Sequence, residues 1–172
     1  MDESGFSLSP ILGKTWAPVN QPTLLRECFS RNSQTGLGML ALSPRQHLRF
    51  FFTVFSGSAA TDDFVFWLTQ LHHFYRGQQA IILWDGLTAH RSTESHFQAK
   101  HPDWFLFEHF PAYSPELNPV EPCWNWMKNV DMANYVPKDI PDLHSRTLES
   151  ASRLNQDHDL LLSHIKYTKL KL

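Results

Sequence analysis

Apolar positions along the chain change their period several times, and each change marks an element. "GLGMLALSP" (36–44) and "HLRFFFTVFSG" (47–57) are short apolar runs joined by the polar "SPRQ", which predicts two strands and a tight connection. In "TDDFVFWLTQLHHFYRG" (61–77) the period lengthens to that of a helix. Phe64, Trp67, Leu68, Leu71 and Phe74 share one face, Asp62 and Asp63 complement the dipole at its start, and Gly77 stops it. "AIILWD" (80–85) is continuously apolar, as expected of a strand covered on both faces, and it ends in Asp85. "STESHFQAKH" (92–101) predicts a short helix and "WFLFEHF" (104–110) another strand, while "TWAPVNQP" (15–22) reads as a turn-rich loop. From Pro141 onward the pattern is mainly helical, with a basic end at "KYTKLKL". A hairpin followed by alternating helices and strands predicts a three-layer α/β domain.

The stretch "AYSPELNPVEPCWNWMK" (112–128) stands apart for its prolines and aromatic residues. Ser114-Pro115 and Asn118-Pro119 favour non-helical approaches, so Asn118 is expected as an N-cap with Pro119 at the first helical position. Val120, Cys123, Trp124 and Met127 then follow at helical spacing and predict a buried helix, in which the Trp124/Trp126 pair has two readings, core packing or a base-stacking platform with one indole exposed. Glu121, three residues after the cap, has two readings: the return arm of a capping box, or a carboxylate held rigidly for chemistry. Glu116 is the competing acid, in the turn before the cap. Asp85 is equally divided between capping the turn that follows its strand and lining a ligand site, since α/β proteins place such sites at strand ends. Asp2 and Glu3, an acidic pair at the chain start, read by themselves as solvated surface.

Composition narrows the class. The 172 residues suit one domain, and 42% hydrophobic content is that of a globular chain. A net charge of -2 gives no general basic surface for nucleic acid, which leaves only a local patch. Cys28 and Cys123 show no paired spacing, which indicates a reducing compartment, and no leader or long apolar run is evident; the expectation is a soluble, cytoplasmic protein. His72, His73 and His101 lack zinc spacing and are expected on the surface at helix ends.

Three fragments in order, "DESGFSLSP…GKTWAPVNQP", "LWDGLTAHRS" and "PAYSPELNPVEPCWNWMK", closely resemble the mariner-like bacterial insertion-sequence transposases over about residues 1–130. Their catalytic part is the DDE superfamily endonuclease domain. The resemblance implies a ribonuclease H-like fold, a mixed β-sheet flanked by helices, and a chain that cleaves DNA and transfers its strand. It implies that Asp2, Asp85 and Glu121 are the catalytic acids, with 35 residues between the last two. Phosphodiester cleavage needs an activated oxygen nucleophile, charge neutralisation and help for the leaving oxygen, which two divalent ions supply together. Hard ions, Mg²⁺ or Mn²⁺, suit three carboxylates as ligands. His90, five residues after Asp85, is expected either to contact substrate phosphate or to orient a ligand, or to be an ordinary helix-start histidine. Arg91, Lys100 and Lys128 are candidate phosphate contacts.

The same resemblance sets further expectations. Only Met1 precedes Asp2, so the first strand is expected to be truncated and Asp2 held less firmly than the other two acids. Residues 1–140 are expected to form the DDE catalytic domain and 141–172 its C-terminal helical tail. No helix-turn-helix region for reading element ends is evident. The partners implied are transposon-end and target DNA, at the nucleoid when acting, together with a second copy or a full-length transposase. Two function classes follow: a strand-transfer enzyme, or an impaired remnant that acts, if at all, by association. A host hydrolase on the same fold is a third.

Overall fold

The computed structural model describes residues 1–21, 24–25, 32–111 and 113–168. Cys28 and the basic end beyond Thr168 therefore lie outside the described residues. Three antiparallel strands open the chain: β1 (Asp2–Ser7), β2 (Ser33–Leu42) and β3 (Leu48–Ser56), in the order β1-β2-β3. The hairpin is as predicted, although β2 starts three residues before the apolar run, at Ser33. Pairing with β1, which sets Ser7 against Ser33 and Asp2 against Gly38, extends the strand into polar sequence.

Helix α1 (Thr61–Phe74) follows, then β4 (Ala80–Trp84), α2 (Thr88–Lys100) and β5 (Phe105–His109). Gly77 adopts φ +77 and donates to the His72 carbonyl, so the helix ends three residues before the glycine that stops it. Phe64, Leu68 and Leu71 are buried as expected, while Phe74 at the helix end is half exposed. Asp63 accepts from the Ala60 N–H at 2.8 Å, so this first-turn acid does more than complement the dipole.

β4 pairs with β5 in parallel, and the two form a sheet of their own. The expectation that β4 is covered on both faces is corrected. Ile82 and Trp84 are buried beneath α1 and α2, but Ile81 and its partner Leu106 are 62% and 51% exposed on the other face. The helices that follow pack on β1–β3 instead and leave this face open. Among the described residues one backbone bond joins the two sheets, from the Met1 nitrogen to the Leu83 carbonyl at 2.7 Å, and Leu37 and Met39 of β2 share a core with Ile82 and Trp84 of β4.

The proline-rich stretch folds as a short 3-10 turn (Pro115–Leu117), helix α3 (Glu121–Trp126) and a π-helical turn (Met127–Asp131). Helix α3 starts at Glu121, not at Pro119. Asn118 still terminates the approach: its side chain accepts from the Val120 N–H at 3.1 Å and its carbonyl from the Glu121 N–H at 3.2 Å. Val120, Cys123, Trp124 and Met127 are all buried, as their spacing predicts. Helices α4 (Ile140–Gln156) and α5 (His158–Tyr167) complete the chain, with Leu143, Ala151, Leu154 and Leu161 in the same core cluster as Phe6, Phe50 and Trp124. Among the described residues no helix is long and apolar enough to cross a membrane.

One group of histidines departs from expectation. His72 is buried and stacks flat on Trp104, with ring centroids 3.8 Å apart. His101 stacks on Trp104 as well, at 3.9 Å. Both imidazoles stack on the Trp104 indole, His72 buried and His101 half-buried, while His73 is exposed as expected.

Candidate active site

The three predicted acids come from three different elements. Asp2 opens β1, Asp85 directly follows β4, and Glu121 is the first residue of α3. Successive side chains of β1 point to opposite faces. Asp2 therefore turns towards α3, where its Oδ2 accepts from the Trp124 indole N–H at 3.0 Å. Glu3 turns towards α2, where its Oε1 lies 3.1 Å from His90 Nε2.

Trp124 is fixed by aromatic edges from Phe6, Phe50 and Phe52, with centroids 6.0–6.1 Å away. The expectation of a loosely held Asp2 is thereby corrected. Although it opens an edge strand, Asp2 is paired with Gly38 and bonded by a buried indole, so it is fixed in the fold. Burial pushes its carboxyl up to about 6; the Trp124 hydrogen bond opposes that, and the nearby Glu121 charge adds to it.

Asp85 is half exposed, with one oxygen restrained. Its Oδ1 lies 2.7 Å from His90 Nδ1 and accepts from the Leu87 N–H at 3.1 Å. The turn-capping and ligand-site readings of Asp85 are thus realised in one geometry, since Oδ1 caps and no hydrogen bond between described residues takes Oδ2. The Asp85 carbonyl lies 3.2 Å from the same His90 Nδ1 and meets one further ring nitrogen, His109 Nδ1, at 3.1 Å. His109 in turn pairs with Glu94, which also accepts from the Trp84 indole at 2.7 Å.

Glu121 is exposed, and among the described residues its carboxylate has no hydrogen-bond partner. The capping-box reading is not realised, because the Asn118 N–H that Glu121 would reach donates to the Pro115 carbonyl. Lys128 sits on the π-helical turn beyond it, with Nζ 2.6 Å from Ser4 Oγ and 5.0 Å from the centre of the Phe6 ring. Burial lowers its pKa, while the charges of Glu121 and Asp2 pull it back up. Glu121, Asp2 and Lys128 thus share one electrostatic neighbourhood. Likewise burial brings the Met1 ammonium down to about 6 against the pull of Asp2, Glu3 and Asp85.

His90 is the residue whose place the sequence left most open. It is fully buried, stacked on Trp84 at 4.3 Å and met edge-on by Phe64 at 4.8 Å. No ring atom is left for a phosphate, and the ring instead orients Asp85. Both ring nitrogens face carboxylate oxygens, which only accept when ionised, so the imidazolium form satisfies the arrangement. Burial alone would lower its pKa, but the Glu3 hydrogen bond and charge, followed by those of Asp85, raise it overall. Arg91, one residue on, is exposed beside Gly86, and Lys100 is exposed at the end of α2.

Among the described residues no group of three His, Cys, Asp or Glu side chains stands ready-made to enclose a metal ion. The donor chemistry nevertheless fits hard divalent cations. A buried carboxylate made harder to ionise by a second one is a place where positive charge is stabilising, and Asp2 beside Glu121 is such a place.

The three predicted acids thus stand on an α/β scaffold, each on a different element. The sequence matches the model of the DDE superfamily endonucleases over residues 1–143, and the chain belongs to that family. No curated protein matches the sequence. Among solved structures the chain is similar to the Mos1 transposase paired-end complex with the left transposon end, at 15% identity and a TM-score of 0.56. That match covers 98% of this chain and 55% of the other. The Mos1 mariner paired-end complex with Mn gives 14% identity and a TM-score of 0.56, over 99% of this chain and 55% of the other. The Mos1 strand transfer complex gives 12% and 0.51, over 99% and 54%. The likeness extends the ribonuclease H-like assignment to the whole fold, and the chain spans about half the length of the structures it matches.

Proposed function

We propose that this chain is the catalytic domain of a transposase, cleaving DNA strands and transferring them with the help of divalent metal. The observation that carries the reading is the placement of Asp2, Asp85 and Glu121. Asp2 feels the charge of Glu121, and Asp2 and Asp85 both act on the Met1 ammonium, which supports the reading in a chain of the DDE endonuclease family. Each acid offers oxygen to a ligand: Asp2 the one that Trp124 leaves, Asp85 the one that His90 leaves, and Glu121 both. Mg²⁺ or Mn²⁺ bound there, as one ion or two, would supply an activated water and neutralise charge on the phosphate.

The chain's own residues do the positioning. Trp124 and His90 fix carboxylate rotamers before substrate arrives, which is the condition for a productive encounter. Lys128 balances the negative charge of Asp2 and Glu121, and its bond to Ser4 keeps it within the fold. Arg91 and Lys100 are the exposed cations proposed to meet DNA phosphates. With a net charge of -2, binding by this chain alone should be weak, salt-sensitive and indifferent to sequence.

The test is nicking of supercoiled plasmid with Mg²⁺ or Mn²⁺ present. The chain should convert plasmid to the open circle, and Asp85→Ala and Glu121→Ala should each abolish it, with Glu121→Ala leaving the melting temperature nearly unchanged. Nicking that survives both substitutions would exclude this site. A chain that binds Mn²⁺ without nicking would favour the remnant reading.

A further inference from the structure

We propose that Glu3 and His90 are positioning residues of this site, forming an acid–imidazole–acid chain that clamps Asp85 in register with Asp2. The inference rests on the metal-dependent reading above. Its basis is the joint between the two sheets. β1, which carries Asp2, and β4, which leads to Asp85, share a single backbone hydrogen bond between Met1 and Leu83. One bond at the end of a strand fixes neither the separation nor the twist of the elements beyond it.

The side chains supply what the backbone lacks. Glu3 is 17% exposed and faces α2 because it alternates with Asp2 on β1. Its Oε1 meets His90 Nε2 at 3.1 Å, and the opposite nitrogen of the same ring meets Asp85 Oδ1 at 2.7 Å. The ring cannot swing, since Trp84 lies flat against it and Phe64 closes its edge. A rigid spacer is thus gripped at both ends by carboxylates of different sheets. The remaining Glu3 oxygen, Oε2, is buried without a hydrogen bond, so Glu3 is not held there by competing partners.

Glu3 neither contacts Asp85 nor stands among the three predicted ligands, so its effect should run through His90. Outer partners that orient metal ligands typically contribute about 10–100-fold to affinity. Glu3→Gln keeps the shape and halves the grip, and it should weaken calorimetric Mn²⁺ binding by about 10–100-fold. In an Asp85→Ala background the same change should add nothing, because the residue it positions is gone. A second readout needs no metal. The Leu87 amide donates to Asp85 Oδ1, so its proton resonance and hydrogen-exchange rate report whether that carboxylate is held. In Glu3→Gln the Leu87 resonance should shift and its exchange quicken, at an unchanged melting temperature. A Leu87 amide indifferent to Glu3→Gln overturns the clamp, as does a Glu3 effect on Mn²⁺ binding that persists undiminished without Asp85. If the parent chain binds no Mn²⁺ at all, the metal-dependent reading fails, and the Leu87 measurement still decides the clamp.

Discussion

Gly38 stands opposite Asp2 in the β1–β2 pairing, and a Cβ built there would lie 2.5 Å from the Trp124 ring. The glycine is thus a requirement of the indole that holds the first acid. Gly38→Ala should push Trp124 out of its aromatic cage, lower stability by about 1–3 kcal/mol as overpacked cores do, and loosen Asp2. Gly5→Ala, two strand positions beyond Glu3 with nothing within 4 Å of the new carbon, should cost nothing measurable. Urea denaturation of the two variants makes the comparison, and equal stabilities would refute it. At this scale the sequence disclosed the acids through their motifs, and disclosed little of what holds them. Glu3 was hidden because its meaning depends on a histidine 87 positions away. Trp124 was legible as core, but not as a donor to Asp2, since the indole N–H has no signature in the apolar pattern.

Elements were legible where a period ran long enough, and least so where prolines and turns interrupt it. Helix α2 begins at Thr88, four residues before the predicted start, because "TAHR" carries no apolar stripe and only its packing against Phe64 and Trp84 makes it helical. Helix α3 yields to a π-helical turn at Met127, a break of the kind that gathers at functional sites, and it sets Lys128 over Phe6. The end of α1 gives a prediction of its own. Burial lowers the pKa of His72, reinforced by His73 and His101, and its Nδ1 is buried without a hydrogen bond. The folded ring therefore resists a proton that the unfolded chain accepts near pH 6.5. Its contribution is complete above about pH 6.5 and is lost as the pH falls below that value. The urea midpoint should rise between pH 5 and 7.5, and His72→Phe, which keeps the stack on Trp104, should flatten that rise. His90 and His164 titrate in both proteins, so the difference isolates His72. Parallel profiles for the two proteins would show that His72 stays neutral in both states.

At the scale of the whole molecule, the fold divides unequally around the site. Strands β1–β3 are backed by α3, α4 and α5 and share a core with them, whereas β4 and β5 form a two-stranded sheet with Ile81 and Leu106 open to solvent on one face. Two strands alone are marginal in water, so this smaller sheet depends on α1 and α2 beneath it and on its joint with β1. Local opening follows such differences, with the least-packed unit opening first. Hydrogen exchange followed by mass spectrometry should therefore show β4 and β5 exchanging well before β2 and β3. Ile82→Ala, which opens a cavity in the core that β4 shares with Leu37 and Met39 of β2, should quicken exchange in β4 and β5 more than in β2 or β3. Asp85 directly follows β4, so the same substitution should weaken Mn²⁺ binding more than an equally destabilising change in the other core, such as Leu154→Ala. The reason is geometric: one loosens the element that aims an acid, and the other loosens a helix that carries none. Exchange at equal rates in both sheets would mean that their shared core, the Met1–Leu83 bond and the Glu3–His90 contact weld them into one cooperative unit, and the two substitutions should then affect metal binding alike.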